Sequence, residues 1–167
     1  MIMITDNFFE DLAETKKMLQ KADVPMIAST HFDGWQGARS NELSDGYQPI
    51  KEHIIKTIEK KFNLNRKDFK KIDVGLHERK DLKVNIHQDE SDLNVLIFLH
   101  GENNIYNGTG FYNKTSEAEI LDLSVGFKEN RAICFNPKTP HASLTGLMPG
   151  QSSLRWTINT FFYKEVA

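Results

Sequence analysis

The chain carries a histidine and an aspartate two positions apart, in the tripeptide His87-Gln88-Asp89. The alternating apolar and polar run at residues 82–86, directly before it, predicts a strand. Side chains two residues apart on a strand point to the same side, so this imidazole and this carboxylate can bind one metal ion. Alone, the tripeptide is weak evidence for a metal site, because H-x-D triplets also arise by chance.

His141 provides a second imidazole. It follows Pro140 and a predicted apolar strand that ends at Phe135, where a barrel would bring it opposite His87 and Asp89. Two imidazoles and one carboxylate on one face of an ion leave its other positions open, the arrangement favoured by non-haem iron(II) that binds a chelating co-substrate and oxygen. A structural zinc site would prefer several cysteines, and the chain has one. We therefore predict a metal site formed by His87, Asp89 and His141.

Arg155 lies in the predicted strand near the end of the chain. Trp156 and Ile158 alternate with it, so the strand pattern leaves open whether Arg155 faces the core or solvent. In the core, its guanidinium would have to pair with an anion, because an unpaired buried charge is very costly. The distal carboxylate of a dicarboxylate fits, since arginine can bind it through two parallel hydrogen bonds. The hydroxyl of Thr157, on the same face, can donate a third.

The order of these residues, H-x-D, a distant histidine and R-x-T on the last strand, resembles the 2-oxoglutarate/iron(II) dioxygenases of the prolyl-hydroxylase-like branch. Residues 93–99 and 107–112 are similar to the strand and glycine-containing turn that follow the H-x-D in that family. Residues 35–40, Trp-Gln-Gly-Ala-Arg-Ser, are similar to a stretch in its short bacterial and phage members. The resemblance spans most of residues 72–163.

The resemblance implies a site and a reaction. His87, Asp89 and His141 would bind Fe(II), Arg155 with Thr157 would anchor 2-oxoglutarate, and O2 would take the remaining position. The implied reaction converts 2-oxoglutarate to succinate and CO2 and hydroxylates a C–H bond of an unidentified substrate. A protein side chain or a small molecule is the favoured substrate. The sequence does not specify the oligomeric state.

One stretch departs from the family pattern. Many relatives place a tyrosine and a glycine upstream of the H-x-D, where residues 77–81 here read His-Glu-Arg-Lys-Asp. Asn85 and His77 are candidates to replace the tyrosine. Trp35 and Arg39 lie in a glycine-rich, loop-like region and are candidates for a lid over the site. We expect structural roles for the remaining histidines: His31, His53, His100 and, unless it replaces the tyrosine, His77.

The elements that must position these residues are two helices followed by a series of strands. The apolar spacing predicts helices at about residues 6–22 and 49–62, with residues 25–47 largely irregular. Strands are predicted at residues 72–77, 82–86, 93–100, 110–112, 120–125, 131–135 and 154–163. Ile97, Leu99, Phe111, Leu121, Ile133 and Phe135 are expected in the core.

Helices and strands segregated along the chain favour an α+β, mainly β fold. We predict a double-stranded β-helix, a jelly-roll or cupin-like barrel with the N-terminal helices packed on one sheet. We expect a single domain over residues 1–167, with a helical part to about residue 65 and the barrel at about residues 70–165.

Composition restricts the partners and the location. The net charge of -2 and the pI near 6.3 give no indication of nucleic-acid binding through a basic surface. The sequence shows no signal peptide and no apolar run of about 20 residues, which predicts a cytoplasmic protein, in the host cytoplasm if phage-encoded. Cys134, in an apolar run, is expected to be a buried small hydrophobe in a reducing compartment.

Two alternatives to the oxygenase remain. A cupin-type metal-binding barrel that does not use 2-oxoglutarate would need the metal ligands but not Arg155. Cupins usually show H-x-H with a following glutamate, and neither appears. A non-catalytic barrel module would be indicated by a missing ligand, and all three ligands are present.

Overall fold

Two antiparallel β-sheets and two helices make up the computed structural model, which describes residues 1–28, 37–43, 45–79, 85–114, 118–144, 146 and 154–165. The helices are α1 (Leu12–Ala22) and α2 (Gln48–Phe62). The strands are β1 (Ile2–Thr5), β2 (Met26–Ala28), β3 (Gly37–Ser40), β4 (Lys71–Arg79), β5 (Leu93–Gly101), β6 (Asn104–Lys114), β7 (Glu119–Phe127), β8 (Ala132–Phe135), β9 (His141–Ser143) and β10 (Arg155–Tyr163).

The larger sheet has seven strands in the order β1-β8-β5-β10-β4-β3-β2, and the smaller sheet has the order β7-β6-β9. In the described part of the chain, neighbouring strands pair antiparallel in both sheets. This is the α+β, mainly β architecture predicted from the sequence. The extent of a single domain over the whole chain stays a prediction.

Helix α2 packs through the apolar repeat that predicted it. Ile50, Ile54, Ile58 and Phe62 recur every four residues and are all buried. They share one core cluster with side chains of the larger sheet, among them Ile158 of β10. The helices therefore cover one face of this sheet and leave its other face toward the smaller sheet.

Helix α1 begins at Leu12, not at Asp6 as the sequence predicted. Asp11 is its N-cap and accepts a hydrogen bond from the Glu14 amide at 2.8 Å. Upstream, the side chain of Asn130 accepts from the Phe9 amide at 2.8 Å and donates to the Phe9 carbonyl at 2.9 Å. These bonds occupy the backbone groups that a helix would use, so the residues before Asp11 stay non-helical.

Residues 25–47, expected to be largely irregular, contain β2 and β3. Both are short strands at the edge of the larger sheet, where Arg39 of β3 pairs with His77 of β4. The strand predicted at residues 82–86 falls mostly on residues outside those described. Next to it, His87 forms an isolated bridge with His141.

A second apolar cluster lies between the two sheets and includes Phe98, Phe111, Phe127, Ile133 and Phe135. Five of the six residues expected in the core are buried, but Leu121 is 48% exposed. The prediction for Leu121 was wrong because β7 is the outer strand of the smaller sheet, and its residues become buried only from Val125 onward.

Cys134 lies in β8 and is completely buried, as expected. Burial raises the pKa of its thiol to about 12, because a thiolate is poorly solvated in apolar surroundings. Among the described residues, no helix is long and apolar enough to cross a membrane.

Candidate active site

The three predicted metal ligands meet in the structure. The potential ligand atoms of His87, Asp89 and His141 all lie within 4.8 Å of one another. Nε2 of His87 is 3.7 Å from Asp89 Oδ1, and Nε2 of His141 is 3.3 Å from Asp89 Oδ2. Neighbouring ligands bonded to one ion at about 2 Å are roughly 3 Å apart. The three atoms are therefore arranged to bind a single metal ion.

Backbone hydrogen bonds fix the two histidines against each other. The His87 amide donates to the His141 carbonyl at 3.0 Å, and the His141 amide donates to the His87 carbonyl at 2.9 Å. The Asp89 amide donates to the Pro137 carbonyl at 3.1 Å, which ties the third ligand to the turn before β9. All three ligands are thus held by backbone contacts between the same two segments.

Each histidine also has its tautomer set by a carbonyl two residues upstream. Nδ1 of His87 lies 3.0 Å from the Asn85 carbonyl, and Nδ1 of His141 lies 2.8 Å from the Thr139 carbonyl. A carbonyl oxygen only accepts, so each Nδ1 must carry the proton. Each Nε2 is then left with the lone pair that a metal needs.

Asp89 is oriented by Asn94, at the start of β5. The Asn94 amide donates to Asp89 Oδ2 at 2.6 Å, and Ser91 Oγ donates to Asn94 Oδ1. Burial acts to raise the pKa of Asp89. In the metal-free site, a protonated His141 lowers this pKa through its hydrogen bond and charge, a protonated His87 lowers it through its charge, and together they outweigh burial; a bound metal ion would take the place of their Nε2 protons. The pKa of Asp89 therefore lies below its usual range, and the carboxylate is ready to bind a cation.

The ligands open into a cavity of about 340 Å³ between the two sheets. The sequence-predicted site residues His87, Asp89, His141, Arg155 and Thr157 all line it. Asn85, a candidate to replace the tyrosine, and Arg39, a candidate for the lid, line it as well, whereas Trp35, the other lid candidate, lies outside the described residues. The other lining residues are His77, Arg79, Asn94, Val95, Leu96, Thr109, Phe135, Ala142, Ser143, Asn159, Thr160 and Phe161.

Arg155 is buried in this cavity, with 3% of its surface exposed. Nη1 donates to the Gly108 carbonyl at 2.8 Å and to Asn107 Oδ1 at 3.2 Å, with the Leu144 carbonyl at 3.4 Å. These acceptors fix the position of the guanidinium on the wall of the cavity. The side of β10 on which Arg155 lies, which the strand pattern left open, is therefore the inner one.

Three threonines, Thr109, Thr157 and Thr160, line the same cavity. Thr157 Oγ1 donates to Asn159 Oδ1 at 2.7 Å. The hydroxyl of Thr109, on β6, is buried and has no hydrogen-bond partner among the described residues. A buried hydroxyl of this kind is normally satisfied by water or a ligand. Thr109 is not recognisable as a site residue from the sequence, because threonine is common in β-strands for its conformational preference alone.

His77 lies on the inner face of β4, where it lines the cavity. Burial lowers the pKa of its imidazole to about 3, the positive charge of Arg39 acts in the same direction, and Asp89 opposes them. His77 is therefore neutral at physiological pH. Such a strongly shifted group inside a cavity is typical of functional sites.

His53, expected to be structural, lies away from this cavity. Its Nε2 is 2.9 Å from Thr15 Oγ1, which joins the two helices, and its ring stacks on Phe9.

No family model matches the sequence, and no curated protein sequence matches it either. The structure does match solved structures. One is an oxidoreductase of the 2OG-Fe(II) oxygenase family from Burkholderia pseudomallei, with a TM-score of 0.65, 9% identity, and coverage of 98% of this chain and 85% of that one. Another is HygX from Streptomyces hygroscopicus with nickel and 2-oxoglutarate bound, with a TM-score of 0.63, 9% identity, and coverage of 96% and 82%.

A third match is a viral collagen prolyl hydroxylase from Paramecium Bursaria Chlorella virus-1 in complex with 2-oxoglutarate. Its TM-score is 0.55 at 15% identity, over 96% of this chain and 94% of that one. At these identities the similarity establishes the fold. The chain has the double-stranded β-helix fold of these oxygenases, as the sequence predicted.

Proposed function

We propose that this chain is a 2-oxoglutarate- and Fe(II)-dependent oxygenase. It converts 2-oxoglutarate to succinate and CO2 and hydroxylates a C–H bond of a substrate that enters the same cavity. The observation that carries the proposal is the presence, in one cavity, of a His-Asp-His ligand set and a buried arginine.

The ligand set fits iron. His87, Asp89 and His141 provide two neutral imidazole nitrogens and one carboxylate, with the tautomers and the charge that a divalent ion requires. Three protein ligands leave room for a chelating co-substrate and O2, which is typical of non-haem Fe(II) oxygenases. The chemistry that bound Fe(II) supplies is the activation of O2.

The co-substrate contacts follow from Arg155. Its buried guanidinium is the charge that a dicarboxylate needs at the end remote from the metal, and Thr157 and Thr109 offer hydroxyls on the same walls. The two solved structures with 2-oxoglutarate bound support this assignment by their shared fold.

Neighbouring groups orient the three proposed metal ligands. Asn94 keeps the Asp89 carboxylate oriented, the Asn85 and Thr139 carbonyls keep both Nε2 atoms unprotonated, and Phe135 packs edge-on against His141 at 4.8 Å between ring centroids. Such supporting contacts preserve ligand geometry and exclude water from the metal's surroundings.

The test is an anaerobic titration of the purified protein with Fe(II) and then 2-oxoglutarate. The proposal predicts a weak visible charge-transfer band when 2-oxoglutarate chelates the iron. Arg155→Ala should keep Fe(II) affinity within about twofold and weaken 2-oxoglutarate binding about 30-fold or more, because a charge-assisted bidentate contact is lost. His141→Ala should lose both metal binding and turnover.

The matched control is Arg66→Ala, which removes a guanidinium paired with Glu52 and Glu59 beside α2, away from the cavity. This variant should bind iron and 2-oxoglutarate like the wild type. If iron binds and no band forms, the cupin-type alternative replaces the oxygenase. Equal loss of metal in the Arg155 and His141 variants would contradict the separate roles given to them.

A heat-stability measurement provides a second test. N-oxalylglycine, an unreactive analogue of 2-oxoglutarate, should raise the melting temperature only when a divalent metal is present, because it binds the metal and the arginine together. Protection without metal would indicate a different anion site.

A further inference from the structure

Lys138 lies on the surface, in the turn between β8 and β9 and close to the proposed metal ligands. Its Nζ donates hydrogen bonds to the backbone carbonyls of Asp89 and Glu90, each at 3.1 Å. An ammonium group has three donors and can bind two carbonyls at once. The side chain of Lys138 therefore bridges this turn and the segment that contains a metal ligand.

Two further hydrogen bonds join the same two segments from the other side. Gln88 Nε2 donates to the Lys138 carbonyl, and the Asp89 amide donates to the Pro137 carbonyl at 3.1 Å. With the two bonds from Lys138 Nζ, every residue from Gln88 to Glu90 is hydrogen-bonded to the turn. The turn and the Asp89 segment thus form one hydrogen-bonded unit.

The turn has a fixed conformation of its own. Asn136 Oδ1 accepts from the Lys138 amide at 2.9 Å, and the Asn136 carbonyl accepts from the Thr139 amide at 3.0 Å. Asparagine commonly fixes turns in this way. The Thr139 carbonyl, in turn, lies 2.8 Å from Nδ1 of His141 and sets its tautomer. The same short turn therefore contacts both Asp89 and His141.

The main chain around Asp89 lies outside the regular elements. Residues 88–92 belong to no helix or strand, so no ladder of backbone hydrogen bonds fixes them. Asp89 Oδ2 must stay near Nε2 of His141, 3.3 Å away, if both are to bind one ion. Because a carboxylate moves with its main chain, the contacts that order residues 88–90 affect this distance.

We propose that Lys138 is a positioning residue for the metal. By binding the carbonyls of Asp89 and Glu90, its ammonium group holds the Asp89 carboxylate where it and His141 bind the same ion. This inference rests on the metal site of the proposed function. Substitutions of exposed residues usually change global stability little, whereas groups that support a metal ligand change metal affinity about 10- to 100-fold.

The test compares Lys138→Met, which keeps the apolar stem and removes the donors, with Lys138→Arg, which keeps the charge and the donors. The matched control is Lys61→Met, because Lys61 Nζ also donates to a backbone carbonyl, that of Asn7, at 3.1 Å on an exposed surface. All three are folded variants of the full chain if their circular dichroism matches that of the wild type.

Zn(II) affinity is measured by competition with a chromophoric chelator. Lys138→Met should bind Zn(II) about tenfold more weakly than the wild type, since Asp89 is less well ordered. Lys138→Arg should stay within about threefold and Lys61→Met within about twofold. Gln88→Met, which removes the bond to the Lys138 carbonyl, provides a second variant of the same unit and should weaken binding about threefold.

Two further measurements distinguish positioning from a purely structural role. The visible bands of the Co(II)-loaded protein report coordination geometry, and they should change in Lys138→Met and be restored in Lys138→Arg. Urea unfolding of the metal-free protein should shift no more in Lys138→Met than in Lys61→Met. A loss of metal-free stability without a change in Zn(II) affinity or in the Co(II) bands overturns the inference.

The outcomes also separate the inference from the proposed function. Wild-type affinity in Lys138→Met, an equal loss in Lys61→Met, or no recovery in Lys138→Arg overturns the role of Lys138 and leaves the metal site intact. If the wild type binds Zn(II) no better than His141→Ala does, the metal site, the proposed function and this inference are rejected together.

Discussion

At the scale of single residues, two buried threonine hydroxyls stand out on the cavity-forming strands. Thr109 and Thr160 are 3% and 0% exposed, and neither hydroxyl has a hydrogen-bond partner among the described residues. A buried hydroxyl without a partner lowers stability, because it loses its hydrogen bonds to water on folding. Their surroundings differ, since Thr160 shares the face of β10 with Ile158 and Phe162, which pack toward the helices.

We therefore predict that Thr109→Val and Thr160→Val each leave the free energy of unfolding unchanged or raise it by about 1 kcal/mol. Thr109→Val should weaken N-oxalylglycine binding to the metal-loaded protein by about three- to tenfold. Thr160→Val should weaken it less, because Thr160, although it also lines the cavity, lies on the same face of β10 as Ile158 and Phe162 of the helix-side core. Urea unfolding and calorimetric titration measure the two effects. An equal loss of affinity in Thr160→Val would show that the Thr109 hydroxyl has no specific role.

That the predicted metal ligands lie close together could be anticipated from the sequence, because their residue types are scarce and their order is informative. His87, Asp89, His141, Arg155 and Thr157 all line one cavity. Asn94 was not predicted as a site residue, although its side-chain amide follows Leu93 and precedes an apolar run in β5. Its role comes from the hydrogen bond that it donates to Asp89 Oδ2 at 2.6 Å. That hydrogen bond results from tertiary contacts that residue spacing does not encode.

At the scale of elements, the pairing of β6 with β7 supports Arg155. Gly108 of β6 accepts a hydrogen bond from Arg155 Nη1, and a Cβ added at Gly108 would lie 1.8 Å from the Val125 carbonyl oxygen. Only glycine allows the two strands to approach this closely, since the obstructing atom belongs to the backbone. The position of the arginine therefore depends on a glycine in another sheet.

Gly108→Ala should lower the free energy of unfolding by about 2 to 4 kcal/mol, because β6 and β7 must move apart. It should also weaken N-oxalylglycine binding, since the carbonyl that holds Arg155 moves. Gly75→Ala is the control, because its nearest neighbours would be 3.8 Å from the new Cβ. A stability change within about 0.5 kcal/mol is expected there. Chemical denaturation of both variants checks the difference.

The long elements were predictable, and of the short ones only β8 was predicted, at residues 131–135. Helix α2 and strand β10 follow from runs of nine or more residues with clear apolar spacing. Strands β2, β3 and β9 have only three or four residues, too few for a period to emerge. These short strands form because a longer strand offers its backbone hydrogen bonds, as when β3 pairs with the edge of β4.

At the scale of the whole molecule, an ion-pair cluster joins the N-terminal segment to the residues before β8. Asp6 Oδ1 accepts from Arg131 Nε at 2.6 Å, and Asp6 Oδ2 accepts from Lys128 Nζ at 2.7 Å. The hydrogen bonds of Arg131 and Lys128 lower the pKa of Asp6 to about 2. The segment between β1 and α1 is thus connected electrostatically to the loop after β7.

A depressed pKa makes stability depend on pH. The folded protein holds Asp6 ionised, so its contribution is complete above pH 4 and is lost as the pH falls toward 2. The side chain is 34% exposed, so solvent screening reduces the contribution to about 1 kcal/mol. Asp6→Asn should therefore lower stability at pH 6 and reduce its decline between pH 4 and pH 2.

Urea unfolding at a series of pH values measures this effect. The control is Asp122→Asn, which removes a carboxylate from the exposed part of β7 and should change the pH profile less. An identical profile for wild type and Asp6→Asn would mean that the ion pairs contribute nothing to folding.

The burial of Cys134 has a practical consequence for studying motion in this molecule. It is the chain's only cysteine, it lies inside β8, and its thiol stays protonated at the pH values used for labelling. A cysteine introduced on the surface would therefore react alone with a fluorophore or spin label. Because the native thiol does not react, pairs of labels on introduced cysteines across the cavity can report its opening without first replacing Cys134.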